Sequence, residues 1–501
     1  MKELRLFASA LLVLLLAGCV EKGTKKVILN SEADISGLTV AVQAGSIYDF
    51  ELSKRSDIKV ARFNSTPDVV AAITSGHADV MKDDEISMSP GDLRSHHLRI
   101  AMRDKESFDI AFAFRKDDAE TVRLFNTFLD EIRADGTYDE IHHRWYDTDE
   151  PDTVTLPHIE QVSEGQPLRI VTHSLMAPLC FRKGDLWTGF EMEILKRFAV
   201  YVQRPLDISL LDPASGPAAL QSGIADIWSG SIFITEERAK MVLFTNPYNQ
   251  CHPAYFVLDG EATSDLGFWD RLKDSFHKNL IEENRWRFLV DGLWETIIIA
   301  ILSLLLGTLL AGIVCWMRMS RYKWLSWIAA TYIDIMRGVP LLVIMMLMFY
   351  VVLAGTGLSA TTVAVVSFAL VFAAYVSEIF RTAINSIGRG QTEAGVALGF
   401  TPLQTFFYII LPQAARAALP VYKGEAVSLF KNTSIVGYIA IQDLTKASDL
   451  IRSRTFDAFF PLIIISIIYF VLAWLLGKLL DKTITKNAIK PNIMSSLLEH
   501  Y

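Results

Sequence analysis

The sequence predicts a multidomain chain, in which an α/β two-lobed domain is followed by an all-α transmembrane domain of about five helices. Three observations predict this architecture. Charged residues crowd the first 290 positions, whereas long uncharged runs fill much of the rest. Short apolar strands alternate with helical patterns in the first part, which is typical of parallel sheets. The later uncharged runs are long enough to cross a bilayer.

The N-terminus has the pattern of a secretory signal. A short basic start and an apolar run lead to Leu16-Ala17-Gly18-Cys19, which resembles a bacterial lipobox. The resemblance implies that residues 1–19 are a lipoprotein signal peptide, cleaved before Cys19, whose sulfur is then acylated. The alternative is an uncleaved anchor helix in which Cys19 has no special role.

The exported part contains an internal echo. Residues 71–80 (AAITSGHADV) match residues 218–227 (AALQSGIADI), each as a helix end, a glycine cap and a strand that is entered through Asp79 or Asp226. Glycine suits the left-handed position that ends a helix. We interpret the two copies as two similar lobes; the alternative is one common motif used twice.

Two connecting segments divide the chain. Residues 151–167 are rich in proline and polar residues, which indicates a linker. Residues 261–289 are interpreted as a second linker with an amphipathic helix, which could lie on the membrane surface or pack on the soluble domain. Cys180 and Cys251 both fall in the exported part, so a disulfide between them stays open.

The membrane part contains uncharged runs at 296–317, 338–377 and 458–477. The second run is too long for one span, so we predict two helices and a tight turn there. Residues 403–422 are apolar but interrupted by Pro412, Arg416 and Pro420, and we predict a broken helix. Basic residues after the first, third and last spans favour a cytoplasmic location for those ends, which places the large domain outside.

The sharpest motif is Glu393-Ala394-Gly395, followed by Gly399 and by Ile409-Ile410-Leu411-Pro412. It resembles the EAA loop of ABC-importer permeases, in the polar-amino-acid (histidine/glutamine permease-like) branch, and only the third alanine differs, here Gly395. The resemblance implies a permease domain at 290–485 with a cytoplasmic tail at 486–501. It also implies that Glu393, Ala394, Gly395 and Gly399 form the coupling helix that docks on an ATPase subunit.

The chain has no G-x-x-x-x-G-K-[ST] motif and therefore no phosphate-binding loop of this kind. We expect ATP to be bound by a separate ABC ATPase dimer, with no cofactor in this chain. The membrane domain is only half the size that a pore needs, so a second permease subunit is expected. It is either an identical copy, which gives a homodimer, or a similar permease. A net charge of −8 gives no indication of nucleic-acid binding.

The exported part resembles the family-3-type periplasmic amino-acid-binding proteins, a two-lobed fold that closes on its ligand. Residues 168–260 are similar to lobe 1, and residues 20–150 are similar to lobe 2 with the closing helices. This order is the reverse of the family's. We infer one circularly permuted domain; the rival is a remnant of two tandem domains, each missing a lobe.

The same resemblance implies the ligand-binding residues. Arg238 corresponds to the carboxylate-binding arginine, with Gly230 and Ser231 as donors beside it, Ser46 reaching the same carboxylate from the other lobe, and Asp84 as the ammonium partner. Phe190 and Met176 are expected at the same site. Arg238 could instead pair with Glu236 or Glu237, and Asp84 could be a solvated acid. His173, Met176 and Phe233 depart from the common pattern and favour a less polar or neutral ligand side chain.

The sequence therefore predicts a multi-pass protein of the bacterial inner membrane, with an extracytoplasmic binding domain and a cytoplasmic C-terminus. Its expected function is that of a permease subunit in an ATP-driven amino-acid importer. The alternative is a membrane-anchored receptor that uses the same lobes without transport. No catalytic or metal-binding constellation stands out, so we do not expect an enzyme.

Overall fold

The computed structural model describes residues 27–149, 151–172, 177–183, 186–211, 215–259, 268–354, 356–457 and 459–486. These residues form two compact units. The first holds the described residues up to Gln221, together with Ala225–Arg285 and Leu450–Phe460, and the second holds Ser222–Ile224, Trp286–Asp449 and those from Pro461 onward. The predictions for the signal peptide, Cys19, His173, Met176 and the tail from residue 487 fall outside the described residues.

The first unit is an α/β structure, as predicted. Its strands are β1 (Thr39–Gln43), β2 (Lys59–Phe63), β3 (Val80–Asp84), β4 (Leu98–Arg103), β5 (Phe108–Ile110), β6 (Ala113–Phe114), β7 (Leu168–Thr172), β8 (Phe181–Lys183), β9 (Leu186–Thr188), β10 (Leu206–Leu210), β11 (Ile227–Ser229), β12 (Leu243–Phe244), β13 (Asn249–Cys251) and β14 (Pro253–Leu258). Its helices are α1 (Ile47–Leu52), α2 (Thr66–Thr74), α3 (Pro90–Ser95), α4 (Ala119–Ala134), α5 (Thr137–Tyr146), α6 (Phe190–Tyr201), α7 (Gly216–Gln221), α8 (Glu236–Met241) and α9 (Phe268–Phe276).

Two five-stranded sheets define the two lobes. The order is β2-β1-β3-β14-β4 in lobe 2 and β10-β7-β11-β6-β12 in lobe 1. Three strands of each sheet are parallel, namely β2, β1 and β3 in one and β10, β7 and β11 in the other. The remaining pairings are antiparallel. Each lobe therefore has the β/α pattern that the alternating strands and helices predict.

Each sheet also takes a strand from the other part of the sequence. Strand β14 was assigned to lobe 1 with residues 168–260, but it lies between β3 and β4 of lobe 2. Strand β6, assigned with lobe 2, lies between β11 and β12 of lobe 1. The chain makes these crossings through β5 and β13, which pair with each other antiparallel. The exchange is not visible in the sequence pattern, because the apolar and polar residues of a strand do not show to which sheet the strand belongs.

The internal echo has a structural explanation. Asp79 accepts a hydrogen bond from the backbone N–H of Thr39 at 2.8 Å, and Asp226 accepts one from the N–H of Arg169 at 3.0 Å. In return, the N–H of each aspartate donates to the carbonyl oxygen of the same partner residue. Both aspartates thus join a strand entry to the start of the neighbouring strand, β1 or β7. The repeat marks two similarly built lobes.

Helices α4 and α5 pack on lobe 1, although they follow lobe 2 in the sequence. The rings of Phe125 and Phe198 lie 4.4 Å apart between α4 and α6. Glu193 of α6 is buried and accepts hydrogen bonds from Arg144 at 2.5 Å and from the indole of Trp145 at 2.9 Å. A buried carboxylate needs such partners, since its desolvation is otherwise costly.

The second unit is all-α among its described residues. Its helices are α10 (Trp286–Arg318), α11 (Lys323–Gly338), α12 (Leu341–Leu347), α13 (Ala360–Asn385), α14 (Arg389–Ala397), α15 (Pro402–Thr405), α16 (Leu411–Asn432), α17 (Leu444–Thr455), whose last turns belong to the first unit, and α18 (Phe460–Lys486). Helices α10 and α13 pack closely at Gly307, where a Cβ atom would lie 2.8 Å from the ring of Phe372.

Among the described residues, α10, α13 and α18 are each long and apolar enough to span a membrane. The segments Lys323–Gly338 and Leu341–Val352 make a fourth candidate, bent by 107°. The predicted break in 403–422 is wrong in its position. The helix α16 continues through Pro420, and the irregularity is a π-helical turn at Phe406–Ile410, just before Pro412.

Two smaller predictions are also resolved. The helix predicted near 267–289 is present as α9 and continues through a π-helical stretch at His277–Ile281, but it breaks at Glu283, which leaves the helical conformation, and α10 begins at Trp286. Cys180 and Cys251 are both buried and unpaired in the structure, so the open disulfide is not formed.

Candidate functional site

Two of the predicted ligand residues, Asp84 and Ser231, meet where the two lobes face each other in the first unit. Asp84 ends β3 of lobe 2, and Ser231 follows β11 of lobe 1. The hydroxyl of Ser231 donates to Asp84 at 3.2 Å, and the hydroxyl of Tyr48 donates to the other oxygen of the same carboxylate. Sequence analysis missed Tyr48, although it lies in the first turn of α1, two residues after Ser46.

Asp84 is not a solvated acid. Burial raises the pKa of Asp84, while the bonds from Tyr48 and Ser231 and the charge of Arg238 lower it again. Its neighbour Asp83 also has a raised pKa, because of burial and the nearby charge of Asp84. The charged form of a buried carboxylate is stabilised by a nearby cation, so Asp84 is suited to a cationic partner.

Arg238 lies in α8 and belongs to lobe 1. Its guanidinium donates to the carbonyl oxygen of Phe233 at 3.2 Å and lies 5.4 Å from the ring centre of Trp228. Burial lowers the pKa of Arg238, and the charge of Asp84 acts in the opposite direction. Among the described residues, the ion pairs of the structure do not include one from Arg238 to Glu236 or Glu237. The two predicted charges therefore influence each other across the cleft.

The backbone donors of Gly230 and Ser231 have a different partner from the predicted ligand. Both N–H groups donate to the carboxylate of Glu191 at 2.7 Å, and the hydroxyl of Tyr248 donates to it as well. Burial raises the pKa of Glu191, and these donors counteract that rise. The prediction that these N–H groups wait for a ligand carboxylate is corrected, because the fully buried Glu191 needs them.

Glu191 is a residue whose role the sequence analysis missed. It directly follows Phe190, which is the residue of this segment that the resemblance placed at the ligand site. Its carboxylate fixes the loop on which Ser231 has a φ of +59° and Gly230 a φ of +114°. The loop conformation is strained for Ser231, and the carboxylate bonds hold it in place.

Phe190 lies beneath the site rather than in it, and Ser46 has a structural partner of its own. Phe190 has no exposed surface and contacts the rings of Tyr146 and Tyr248 at 5.2 and 6.0 Å, which makes it a core residue beneath the site. The hydroxyl oxygen of Ser46 accepts the backbone N–H of Asp49 at 3.2 Å and caps α1. Its hydrogen is still able to be donated, so the predicted role of Ser46 stays a prediction.

Aromatic rings complete this face of the cleft. Phe233 contacts Tyr48 with ring centres 6.2 Å apart and Phe108 at 5.3 Å. Behind them, Lys82 is buried and pairs with Glu51 at 2.8 Å and Asp104 at 3.0 Å, while its Nζ lies 5.6 Å from the ring centre of Tyr48. The buried ammonium group of Lys82 thus links the two segments of lobe 2 that carry Tyr48 and Asp84, namely α1 and β3.

A second candidate site lies in the second unit. Helix α14 carries Glu393 and Ala394 on its exposed surface. Gly395 is buried, because a Cβ there would lie 2.6 Å from Cγ2 of Thr405. Gly399 follows with a φ of +81°, a conformation that glycine adopts without strain. Helix α14 thus approaches Thr405 closely at Gly395, where the motif departs from its usual alanine.

The same loop exposes apolar side chains. Val396, Leu398 and Leu403 are 60%, 74% and 69% exposed. The loop is capped at Thr401, whose hydroxyl accepts the N–H of Gln404 while the Gln404 side chain accepts the N–H of Thr401. A rigid helix–turn–helix with exposed apolar groups is well suited to a protein partner.

Comparison with known proteins gives two family matches. Residues 286–486 match the model for the binding-protein-dependent transport system inner membrane component. Residues 20–148 match the model for bacterial extracellular solute-binding proteins, family 3. The second match covers only the first part of the two-lobed unit.

Relatives of known description match the membrane part. The L-cystine transport system permease protein TcyB of Bacillus subtilis is 36% identical over 201 residues, which is 40% of this chain and 86% of that protein. The glutamate/aspartate import permease protein GltK of Escherichia coli O6:H1 is 34% identical over 196 residues, 37% of this chain and 87% of that protein.

Among solved structures, an amino acid ABC transporter with histidines is 32% identical, with a TM-score of 0.38, and the match covers 44% of this chain and 100% of that chain. The extent of the match to the permeases is decisive, since it includes most of their length. The chain belongs to the family of binding-protein-dependent transport system inner membrane components and joins such a permease domain to a solute-binding domain of family 3.

Proposed function

We propose that this chain is the transmembrane permease subunit of an ATP-driven amino-acid importer and carries its own tethered substrate-binding domain. The observation that carries the proposal is the placement of Asp84 and Arg238 on opposite lobes of one cleft, in the same polypeptide as a permease domain. An amino-acid zwitterion needs a cation for its carboxylate and an anion for its ammonium group. A planar guanidinium suits the carboxylate because it can donate two parallel hydrogen bonds.

The two site charges are partly satisfied by protein groups. Asp84 accepts from Tyr48 and Ser231, and Arg238 donates to the carbonyl of Phe233. A bound amino acid would pair its ammonium with Asp84 and its carboxylate with Arg238. The surrounding rings of Tyr48, Phe233 and Trp228 favour a neutral or weakly polar ligand side chain.

The loop 389–402 is the proposed coupling element. Its exposed Val396 and Leu398 would enter a groove of a separate ABC ATPase, and Glu393 beside them would fix the register. ATP would bind to an ATPase dimer, and two permease copies, as a homodimer, would form the pathway. This assignment places the loop and the C-terminus in the cytoplasm and the binding domain outside.

The binding domain is proposed to be a circularly permuted form of the family-3 fold, with lobe 2 preceding lobe 1 along the chain. The crossings at β5 and β13 support one domain rather than two half-domains. The lipid at Cys19 and the membrane helix after Arg285 would hold this domain at both ends. Such tethering gives an effective concentration of order millimolar at the permease.

Binding and uptake measured on the same variants test the proposal. The full chain in lipid nanodiscs should bind at least one of the twenty L-amino acids by calorimetry, and Arg238→Ala should abolish this binding. Glu393→Ala should retain the binding but stop uptake of the same amino acid in cells that also produce the partner ATPase. If the wild type binds none of them, the amino-acid assignment is wrong. Uptake that survives Glu393→Ala would contradict the coupling role of Glu393, whereas a wild type that binds the amino acid but shows no uptake would favour the alternative, a receptor without transport.

A further inference from the structure

Residues 450–457, which we call the clasp, form the last turns of α17 and the start of the following turn. They belong to the first unit, although the residues before Leu450 and after Phe460 belong to the second. The clasp is buried along most of its length, including two arginines, Arg452 and Arg454, that are each 7% exposed. Arginines are rarely buried to this extent unless specific partners hold them.

One side of the clasp contacts lobe 2. The guanidinium of Arg452 pairs with the carboxylate of Asp68, in the first turn of α2. Phe456 joins the core cluster of lobe 2 that contains Leu98 and Phe256, and its ring centre lies 5.1 Å from that of His96. The clasp thus contributes both an ion pair and a core side chain to this lobe.

The other side contacts lobe 1. The guanidinium of Arg454 lies 4.6 Å from the ring centre of Phe181, on β8. Leu450 packs with Leu210 at the end of β10 and with Trp187 on β9. These residues come from three strands, so the contact is with the body of lobe 1 and not with a single loop.

A third set of contacts holds the clasp in one conformation. Arg454 pairs with Glu283 at 2.9 Å. The side chain of Asn279 donates to Asp457 at 2.8 Å, and the hydroxyl of Thr455 donates to the oxygen of the same amide at 2.8 Å. A short helical segment fixed by these bonds cannot lengthen to follow two separating lobes.

We propose that the clasp binds both lobes at once and stabilises their closed arrangement, so that ligand binding and clasp engagement favour each other. The lobes are joined to each other through the crossings at β5 and β13. Opening at that hinge changes the separation between Asp68 and Phe181, and the rigid clasp can then keep only one of its two contacts. By thermodynamic linkage, whatever favours closure also strengthens the clasp, and the reverse.

The clasp is continuous in sequence with helices of the second unit on both sides. The part of this inference that concerns the ligand rests on the proposed function, whereas the part that concerns the lobes does not.

The test measures the distance between the lobes. Spin-labelled unnatural residues at the exposed positions Lys59 and Asp207, on the outer strands β2 and β10, report the separation of the lobes in the full chain in nanodiscs and leave the cysteines untouched. Arg452→Ala combined with Arg454→Ala should shift the ligand-free distance distribution to longer values. A distribution identical to that of the wild type would overturn the proposal.

Two further variants guard against misfolding and non-specific effects. Asp68→Asn removes one charge of the lobe 2 contact without a change of shape and should give a smaller shift in the same direction. Arg123→Ala, an exposed arginine on α4, should leave the distribution unchanged. If the double variant unfolds, Asp68→Asn decides the question alone, and an unshifted distribution in it overturns the proposal.

The ligand arm uses the L-amino acid that the wild type binds most tightly among the twenty. Loss of the clasp contacts should weaken that binding about tenfold, within the usual range of coupling between sites. Unchanged affinity would contradict the linkage to ligand binding. If the wild type binds no amino acid, the proposed function fails, and the distance measurement still decides whether the clasp holds the lobes.

Discussion

The cleft of the first unit and the loop 389–402 of the second unit are built in opposite ways. In the cleft, the charged side chains of Asp84, Arg238 and Glu191 are each held by hydrogen bonds or ring contacts within the protein. The loop exposes its apolar side chains, among them Val396 and Leu398, at the end of the short helix α14. The difference indicates two kinds of partner. A small polar ligand is selected by a few convergent charges, whereas a protein partner is met by rigid exposed surface.

The largest expected effect is at Arg238. Arg238→Ala leaves the carboxylate of a bound amino acid unpaired in the cleft, and we expect a loss of about 2–5 kcal/mol in binding free energy. Arg238→Lys keeps the charge but loses the planar fork, so its affinity should lie in between. Calorimetry on the full chain measures both. If the Arg238→Lys variant bound the amino acid as tightly as the wild type, the planar geometry of the guanidinium would not contribute to binding.

Glu191 provides the next test, because it supports the cleft without facing the ligand. Glu191→Ala leaves the N–H groups of Gly230 and Ser231 and the hydroxyl of Tyr248 without their acceptor. We expect a loss of about 1–3 kcal/mol in the free energy of unfolding. Thermal unfolding of the full chain measures it. Asp207→Ala, at an exposed position of lobe 1, serves as the control and should change stability little.

In the loop, Gly395→Ala tests the close approach to Thr405. The added methyl group would lie 2.6 Å from Cγ2 of Thr405, so the two segments must move apart. Overpacking of this kind costs about 1–3 kcal/mol. Combining the change with Thr405→Ala should restore uptake and stability, because it removes the atoms in conflict. Ligand binding in the cleft should be unchanged in both variants, and a change would contradict the separation of the two regions.

The smallest expected effect is the pH response of Asp84. Its raised pKa means that the folded protein keeps this proton at pH values where the unfolded chain has lost it. Stability therefore rises as the pH falls toward the ordinary range of aspartate. Affinity should fall over the same window, because the protonated acid cannot pair with an ammonium group.

Asp84→Asn isolates this response from those of other groups. The difference between wild type and variant in unfolding free energy should shrink as the pH falls, and the pH dependence of binding should flatten in the variant. A parallel change in both proteins across the window would assign the response to another residue.

The sequence predicted the fold class because its two signals are local: strand–helix alternation and uncharged runs. It could not predict which sheet takes β14 or β6, since that depends on contacts between distant segments. At the site, Asp84 and Arg238 are predicted through resemblance and a charge argument. The role of Glu191 was missed because the sequence does not distinguish a glutamate that accepts backbone N–H groups from one that faces solvent. Phe190 was wrongly expected in contact with the ligand, because the sequence does not distinguish an aromatic residue that lines a site from one that is buried beneath it.

The loop depends less than the cleft on contacts between distant segments of the chain. The spacing from Glu393 to Pro412 is contained in one short segment, and Gly395 and Gly399 have conformations that follow from their own neighbours. The prolines of the next helix were less informative, since Pro420 lies inside α16 without ending it. Clasp residues such as Arg452 carried no signal, because their partners lie hundreds of positions away.

The most direct test of the central claim is amino-acid binding by the full chain in nanodiscs, compared between Arg238→Ala and Glu393→Ala. We predict that the wild type and Glu393→Ala bind the same L-amino acid with equal affinity, whereas Arg238→Ala does not bind it. Binding that persists in Arg238→Ala, or that is lost in Glu393→Ala, would contradict the account.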